Sequence, residues 1–269
     1  GGHFDFIKEY PVEYTKHHDR NVISTVVDGI DEARKTARLQ FREGADFIKL
    51  MITPGVVSQS GRFMTQEISD EEIRVFVEEA EKYGTYVAAH AHANAGIKAA
   101  LRCGVQCVEH GTFLSEEDVD VMLKQGTWLI PTLATGYRFM QNLDKVKPWV
   151  REKEKIANAA GLHSAQMAYR AGIPMAVGAD FGGDEICPHG MNGLELQMLV
   201  ERVGMSPMEA IVAATKTGAN MILRGDELGT LQEGKLADII VVEGNPLDDI
   251  RLMVGPEHIS VVVQDGQVK

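Results

Sequence analysis

Residues 85–112 read TYVAAHAHANAGIKAALRCGVQCVEHGT, and the order of residue types in this stretch decides the fold class. Residues 85–90 form a short apolar run with β-branched and aromatic members, which predicts a strand ending on His90. Residues 95–102 carry helical spacing and stop before Gly104. Residues 105–110 form a second apolar run that ends on His110. Strand, helix and strand in so short a span predict a parallel βαβ unit.

The same alternation extends in both directions. Upstream, Ile30, Ala33, Ala37 and Phe41 make one stripe of a helix over 31–43 that Gly44 stops, and residues 46–51 follow as a strand. A loop rich in glycine, serine and proline covers 53–61. Ser69 with Glu72 forms a capping box for a helix ending near Gly84. Downstream, Ser115 opens a helix closed by Gly126, residues 127–132 form a strand, a long helix covers 147–170, and a strand is expected at 175–180. Ser206, Pro207 and Glu209 cap a later helix. This order predicts an α/β fold with a parallel sheet of five strands. The tail differs: 237–242 and 258–263 are β-like runs around Gly244-Asn245-Pro246, and Asp265-Gly266 reads as a hairpin turn. The expected division is 1–225 for the α/β part and 226–269 for a small β appendage.

Lysine and arginine number 27 against 39 aspartates and glutamates, a formal charge of −12. That balance disfavours a nucleic-acid backbone or an anionic membrane as partner. The hydrophobic share of 44% and charged share of 25% are those of a soluble globular chain. No apolar run approaches the roughly 18–20 residues of a membrane span, and these residues show no signal-peptide pattern. The three cysteines, Cys103, Cys107 and Cys187, are too few and odd in number for a disulfide framework. A reducing compartment, hence the cytoplasm, is the expectation.

The polar residues fall in a pattern. Lys49 interrupts an apolar strand, and His90, His110 and Asp180 each close one. In parallel α/β folds the carboxyl ends of the strands form one rim, where sites are built. Imidazole and carboxylate there suit zinc, with other first-row ions as alternatives. Each residue alone has an ordinary use, as a satisfied histidine, a solvated strand lysine or a capping aspartate. Their coincidence on four strands points to a metal site.

Four stretches carry a resemblance: GADFIKLM around Lys49, the 87–112 run around His90 and His110, VGADFG around Asp180, and LGTLQEGKLADIIVVEGNPLDDI in the tail. With these the chain resembles the amidohydrolase superfamily, in its imidazolonepropionase-like, Xaa-Pro dipeptidase (prolidase) branch. The resemblance implies a (β/α)8 TIM barrel of the metal-dependent hydrolase type, with strands four to eight present here, and a small β-sandwich at the C-terminus. It implies that Lys49 is carboxylated and bridges two zinc ions, that His90, His110 and Asp180 are ligands, and that His92 contacts the substrate carbonyl. A lysine buried in an apolar strand has a lowered pKa, so its neutral amine can react with carbon dioxide to give an anionic two-oxygen ligand.

The chain also departs from the family pattern. No His-x-His of a first barrel strand precedes Lys49; His17-His18 are adjacent and lie in a polar stretch. The implied reading places Gly1 after the third barrel strand, so the missing N-terminal part of the barrel would complete the ligand set. A homo-oligomer is a further expectation.

The function implied is hydrolysis of an amide or peptide bond in a small substrate (a dipeptide, Xaa-Pro or an N-acyl amino acid) by a metal-bridging hydroxide, with Asp180 moving the proton. Arg62 and Tyr137, in the loops after barrel strands four and seven, are substrate contacts by position alone. The alternatives are another amide, a carbamate, a urea, an ester or lactone, a phosphotriester, or a catalytically incomplete fragment. His3 is placed in a loop near the site. The mixed charges of 147–155 read as a solvated helix face.

Overall fold

The computed structural model describes residues 24–59 and 63–269. His3, His17, His18 and Arg62 lie outside the described residues. In chain order the α/β part runs α1 (Ile30–Arg42), β1 (Ile48–Met51), α2 (Asp70–Lys82), β2 (Val87–Ala91), α3 (Asn94–Arg102), β3 (Cys107–His110), α4 (Glu116–Gln125), β4 (Trp128–Ile130), α5 (Leu133–Gln141) and α6 (Pro148–Ala171). Short helices α7 (Leu194–Met198), α8 (Pro207–Val212) and α9 (Gly218–Met221) follow, and α7 and α8 each run on into a π-turn.

Local chemistry sets these boundaries. Ser69 and Glu72 satisfy each other's backbone N–H groups at the start of α2, as do Ser115 and Asp118 at α4 and Ser206 and Glu209 at α8. Gly126 and Gly172 end α4 and α6 in the left-handed conformation, where a side chain would be strained. Buried Glu79 on α2 ties that helix to α1 through Arg34 at 2.7 Å and Arg38 at 2.9 Å.

The four strands pair in parallel and in chain order, with Lys49 opposite Ala88, His90 opposite Glu109 and Glu109 opposite Ile130. One face of this sheet sends Ile48, Leu50, Val87 and Ala89 against Ala37, Ile73 and Val77 of the first two helices. Val108 and Leu129 continue that face against Ile97, Met122 and Leu199. Each such aliphatic side chain removed from water contributes about 1.5–3 kcal/mol. The other face carries Ala88, Cys107, Ile130 and Ala176, together with Lys49, His90 and Glu109 by register.

Three expectations differ from the structure. The strand at 175–180 reduces to one parallel bridge between Met175 and Leu129. Pro131 offers no backbone donor and Thr132 is left-handed at φ 53°, so the ladder of β4 cannot extend along it. Tyr137, expected in a loop, lies within α5. In the tail, β5 (Ile239–Val242), β6 (Ile259–Gln264) and β7 (Gln267–Val268) form one antiparallel sheet. It is the single sheet of this region among the described residues, where a sandwich was expected. Asp265 and Gly266 make the hairpin turn with φ of 50° and 74°. No helix among the described residues is long and apolar enough to cross a membrane.

Candidate metal centre

Strand alternation puts His90 and His92 on the same side of β2 and its continuation. The strand runs one residue past His90, to Ala91. Alternation would send His110 the other way, with Val108, into the outer core. Instead His110 has φ 67°, a left-handed backbone that costs a non-glycine residue roughly 1–2 kcal/mol. That turn brings its ring to the other two. The ring centroids of His92 and His110 lie 4.4 Å apart, stacked at 11°, and His90 stands edge-on to them at 4.6 and 4.5 Å. All three are buried, and one nitrogen from each lies within 4.8 Å of the others.

Threonines hold these rings. His110 Nδ1 meets Thr132 Oγ1 at 2.6 Å, and the Thr132 hydroxyl donates to the Pro131 carbonyl at 2.8 Å. With its one proton used there, Thr132 accepts from His110 Nδ1–H, which places the His110 lone pair on Nε2. His92 Nδ1 meets Thr112 Oγ1 at 2.7 Å, and its backbone N–H donates to Thr53 Oγ1 at 2.9 Å. Thr53 is packed against Gly96 so tightly that a Cβ at 96 would overlap its methyl group. Three close imidazoles, His92 and His110 backed by hydroxyls, suit a divalent cation such as zinc.

A cavity of about 320 Å³ opens beside the histidines, and Asp180 lines it. Asp180 is left-handed at φ 54°, so His110, Thr132 and Asp180 bring strained backbone to one rim. Surrounding protein pushes the Asp180 carboxyl above its usual range, against the opposing charge of Lys49. Lys49 projects from the same sheet face as His90 but ion-pairs with Glu109, and it does not line the cavity. Burial lowers its ammonium below the usual range, Asp180 opposing; with 31% of the side chain still open to water, that drop is partial. Neither Lys49 nor Asp180 belongs to the three-histidine group.

Tyr137 sits beside Gly136, a lining residue, but packs with the apolar cluster around Phe139 and does not line the cavity. Sequence reasoning missed Glu109, Glu154 and Glu195. Glu109 follows from register: it pairs with His90 and so shares its face. Glu154 lies in the stretch read as a solvated face; Glu152 and Lys155 are exposed there, but Glu154 is 3% exposed and lines the cavity. Burial pushes its carboxyl up to about 7, with Asn158 opposing through a hydrogen bond. Glu195 is fully buried and accepts from the backbone N–H groups of Leu133 at 3.0 Å and Ala134 at 2.7 Å. It clamps the start of α5 next to Thr132. Burial pushes its carboxyl, too, up to about 7. These partners are 61 and 62 residues away in the chain, which hides them from local pattern.

Comparison with known proteins agrees with this architecture. The amidohydrolase family pattern matches residues 7–269. Ochratoxinase of Aspergillus niger is 36% identical over 246 residues, covering 90% of this chain and 50% of that protein. An imidazolonepropionase of Caldanaerobacter subterraneus subsp. tengcongensis is 29% identical over 202 residues, covering 72% of this chain and 43% of that protein. The crystal structure of a Xaa-Pro dipeptidase with bound methionine in its active site superposes with a TM-score of 0.87 at 34% identity, covering 100% of this chain and 65% of that one. The chain spans about half the length of the curated relatives it matches. The chain belongs to the amidohydrolase family.

Proposed function

We propose that the protein carrying this chain is a metal-dependent hydrolase of an amide or peptide bond in a small substrate, a dipeptide of the Xaa-Pro kind or an N-acyl amino acid. The observation that carries this reading is the convergence of three buried imidazoles beside the Asp180 carboxylate in one cavity. Similarity to a Xaa-Pro dipeptidase and to ochratoxinase supports the substrate class.

Zinc is the proposed ion, held by His90, His110 and Asp180, with Lys49, once carboxylated, as a further ligand that would have to leave Glu109. A divalent cation there supplies Lewis acidity, which makes water acidic near neutral pH and polarises a carbonyl. Asp180 takes the proton from the attacking water and returns it to the leaving nitrogen. The Thr112 hydroxyl lies 2.7 Å from His92 Nδ1 and, as the donor there, would leave the His92 proton on Nε2. His92 Nε2–H then points a donor at the substrate carbonyl as negative charge develops there.

The test is steady-state hydrolysis of Ala-Pro and N-acetylmethionine by the zinc-loaded full-length protein. The expected result is hydrolysis of at least one of them, with Asp180→Asn lowering kcat by roughly 10²–10⁴ and changing KM little. Absence of hydrolysis of both, or full turnover by Asp180→Asn with zinc still bound, overturns the reading.

A further inference from the structure

The cavity has a second polar wall that the proposed reaction does not use. Glu154, Ala157, Asn158 and Gly161 occur at helical spacing on α6 and all line it. Glu154 is 3% exposed and hydrogen-bonds Asn158. Opposite them stands Gly136 of α5, where a Cβ would come within 2.6 Å of Glu154 Oε1 and 3.0 Å of Asn158 Nδ2. A side chain there would push the carboxylate and amide out of their present positions.

Charge indicates what this wall would hold. The described lining of the cavity contains Glu154, Asp180 and Asp184 but neither lysine nor arginine, and no ion pair of Glu154 occurs among the described residues. A buried carboxylate without a cation is costly, and a charge-assisted donor from a ligand would offset that cost. Burial accordingly raises the Glu154 carboxyl to about 7. The volume of about 320 Å³ suits a molecule of dipeptide size.

We propose that Glu154 and Asn158, framed by Gly136, form a subsite for the protonated amine of the substrate, and that this subsite selects free-amine dipeptides over N-acylated ones. The assignment rests on the hydrolase reading given above and narrows its substrate class. The ammonium donates to the Glu154 carboxylate, and Asn158 holds that carboxylate in place.

The test is titration calorimetry of L-alaninamide and N-acetyl-L-alaninamide into the zinc-loaded full-length protein, in the wild type and in Glu154→Gln and Gly136→Ala. The wild type binds the free amine roughly 10- to 100-fold more tightly than the acetylated compound. Glu154→Gln abolishes this preference while affinity for the acetylated compound stays within about 2-fold, and Gly136→Ala reduces it. A preference that persists in Glu154→Gln, as for an amine held by the metal, overturns the subsite. So does equal weakening of both ligands, or failure of both to bind the wild type. Hydrolysis of Ala-Pro and N-acetyl-Ala-Pro separates the two readings. Wild-type protein that cleaves both with equal kcat/KM keeps the hydrolase and loses the subsite. Protein that cleaves neither, yet binds the amine through Glu154, keeps the subsite and loses the hydrolase.

Discussion

Replacing Thr132 by valine tests how the chain prepares His110 for a metal. Valine has the same shape and the same β-branched backbone preference, so strain at φ 53° is matched and only the hydroxyl is lost. That hydroxyl makes two bonds, one with His110 Nδ1 at 2.6 Å and one to the Pro131 carbonyl at 2.8 Å. Loss of the Pro131 bond costs about 0.5–1.5 kcal/mol of folding stability. Loss of the His110 bond frees the ring to rotate or to change tautomer, which typically weakens metal binding 10- to 100-fold, about 1.4–2.8 kcal/mol. Zinc affinity measured by competition with a chelator reads the second effect, and urea unfolding of the metal-free protein reads the first. Thr132→Ser should stay within about 3-fold of wild type in affinity, since it keeps the hydroxyl. Thr112→Val gives the contrast: if His92 faces the substrate rather than the ion, turnover falls and zinc affinity changes by less than about 3-fold. Zinc binding by Thr132→Val as tight as in wild type, or a loss equal to that of Thr112→Val, would refute this role of the Thr132 hydroxyl.

Glu195 should make the metal-free protein less stable as pH rises. Its folded carboxyl titrates at about 7 against an ordinary 4.5, so its stabilising contribution is complete below about 4.5 and is lost by about 7, a fall of about 3 kcal/mol for one such group. Urea midpoints at pH 5 and 7.5 measure the fall, and Glu195→Gln should show a smaller one; an identical fall in both removes Glu195 as its source. Gly96→Ala should destabilise by about 1–3 kcal/mol through overpacking against Thr53, read by thermal unfolding. An unchanged melting temperature would mean that Thr53 moves aside freely, leaving the His92 backbone bond without firm support.

Much of the fold is legible in short-range chemistry. The serine and glutamate pairs at 69 and 72 and at 206 and 209 mark helix starts that the structure reproduces as capping boxes. The apolar runs ending at Met51, His90 and His110 become adjacent parallel strands. What failed was the ladder beyond Ile130: Pro131 was visible in the sequence, but the left-handed turn at Thr132 was not. In the site, the His90-Ala91-His92 and His110-Gly111 runs reveal the imidazoles, because alternation and strand ends are local properties. The turn that swings His110 to its partners is not local, since Gly111 must fit under Leu129, where a Cβ would stand 2.8 Å from Cδ1. Glu195 and Glu154 stayed hidden for a related reason. A charged residue on a helix reads as solvated until the elements that bury it are known, and for Glu195 those lie 61 and 62 positions away.

The most direct measurement is anomalous diffraction at the zinc absorption edge from crystals of the full-length, zinc-loaded protein. The expected result is a peak in the cavity at roughly 2.0–2.1 Å from imidazole nitrogens of His90 and His110, with Asp180 in the same coordination sphere. Zinc bound only elsewhere, or three histidines with no peak between them in protein that has taken up metal, would contradict it.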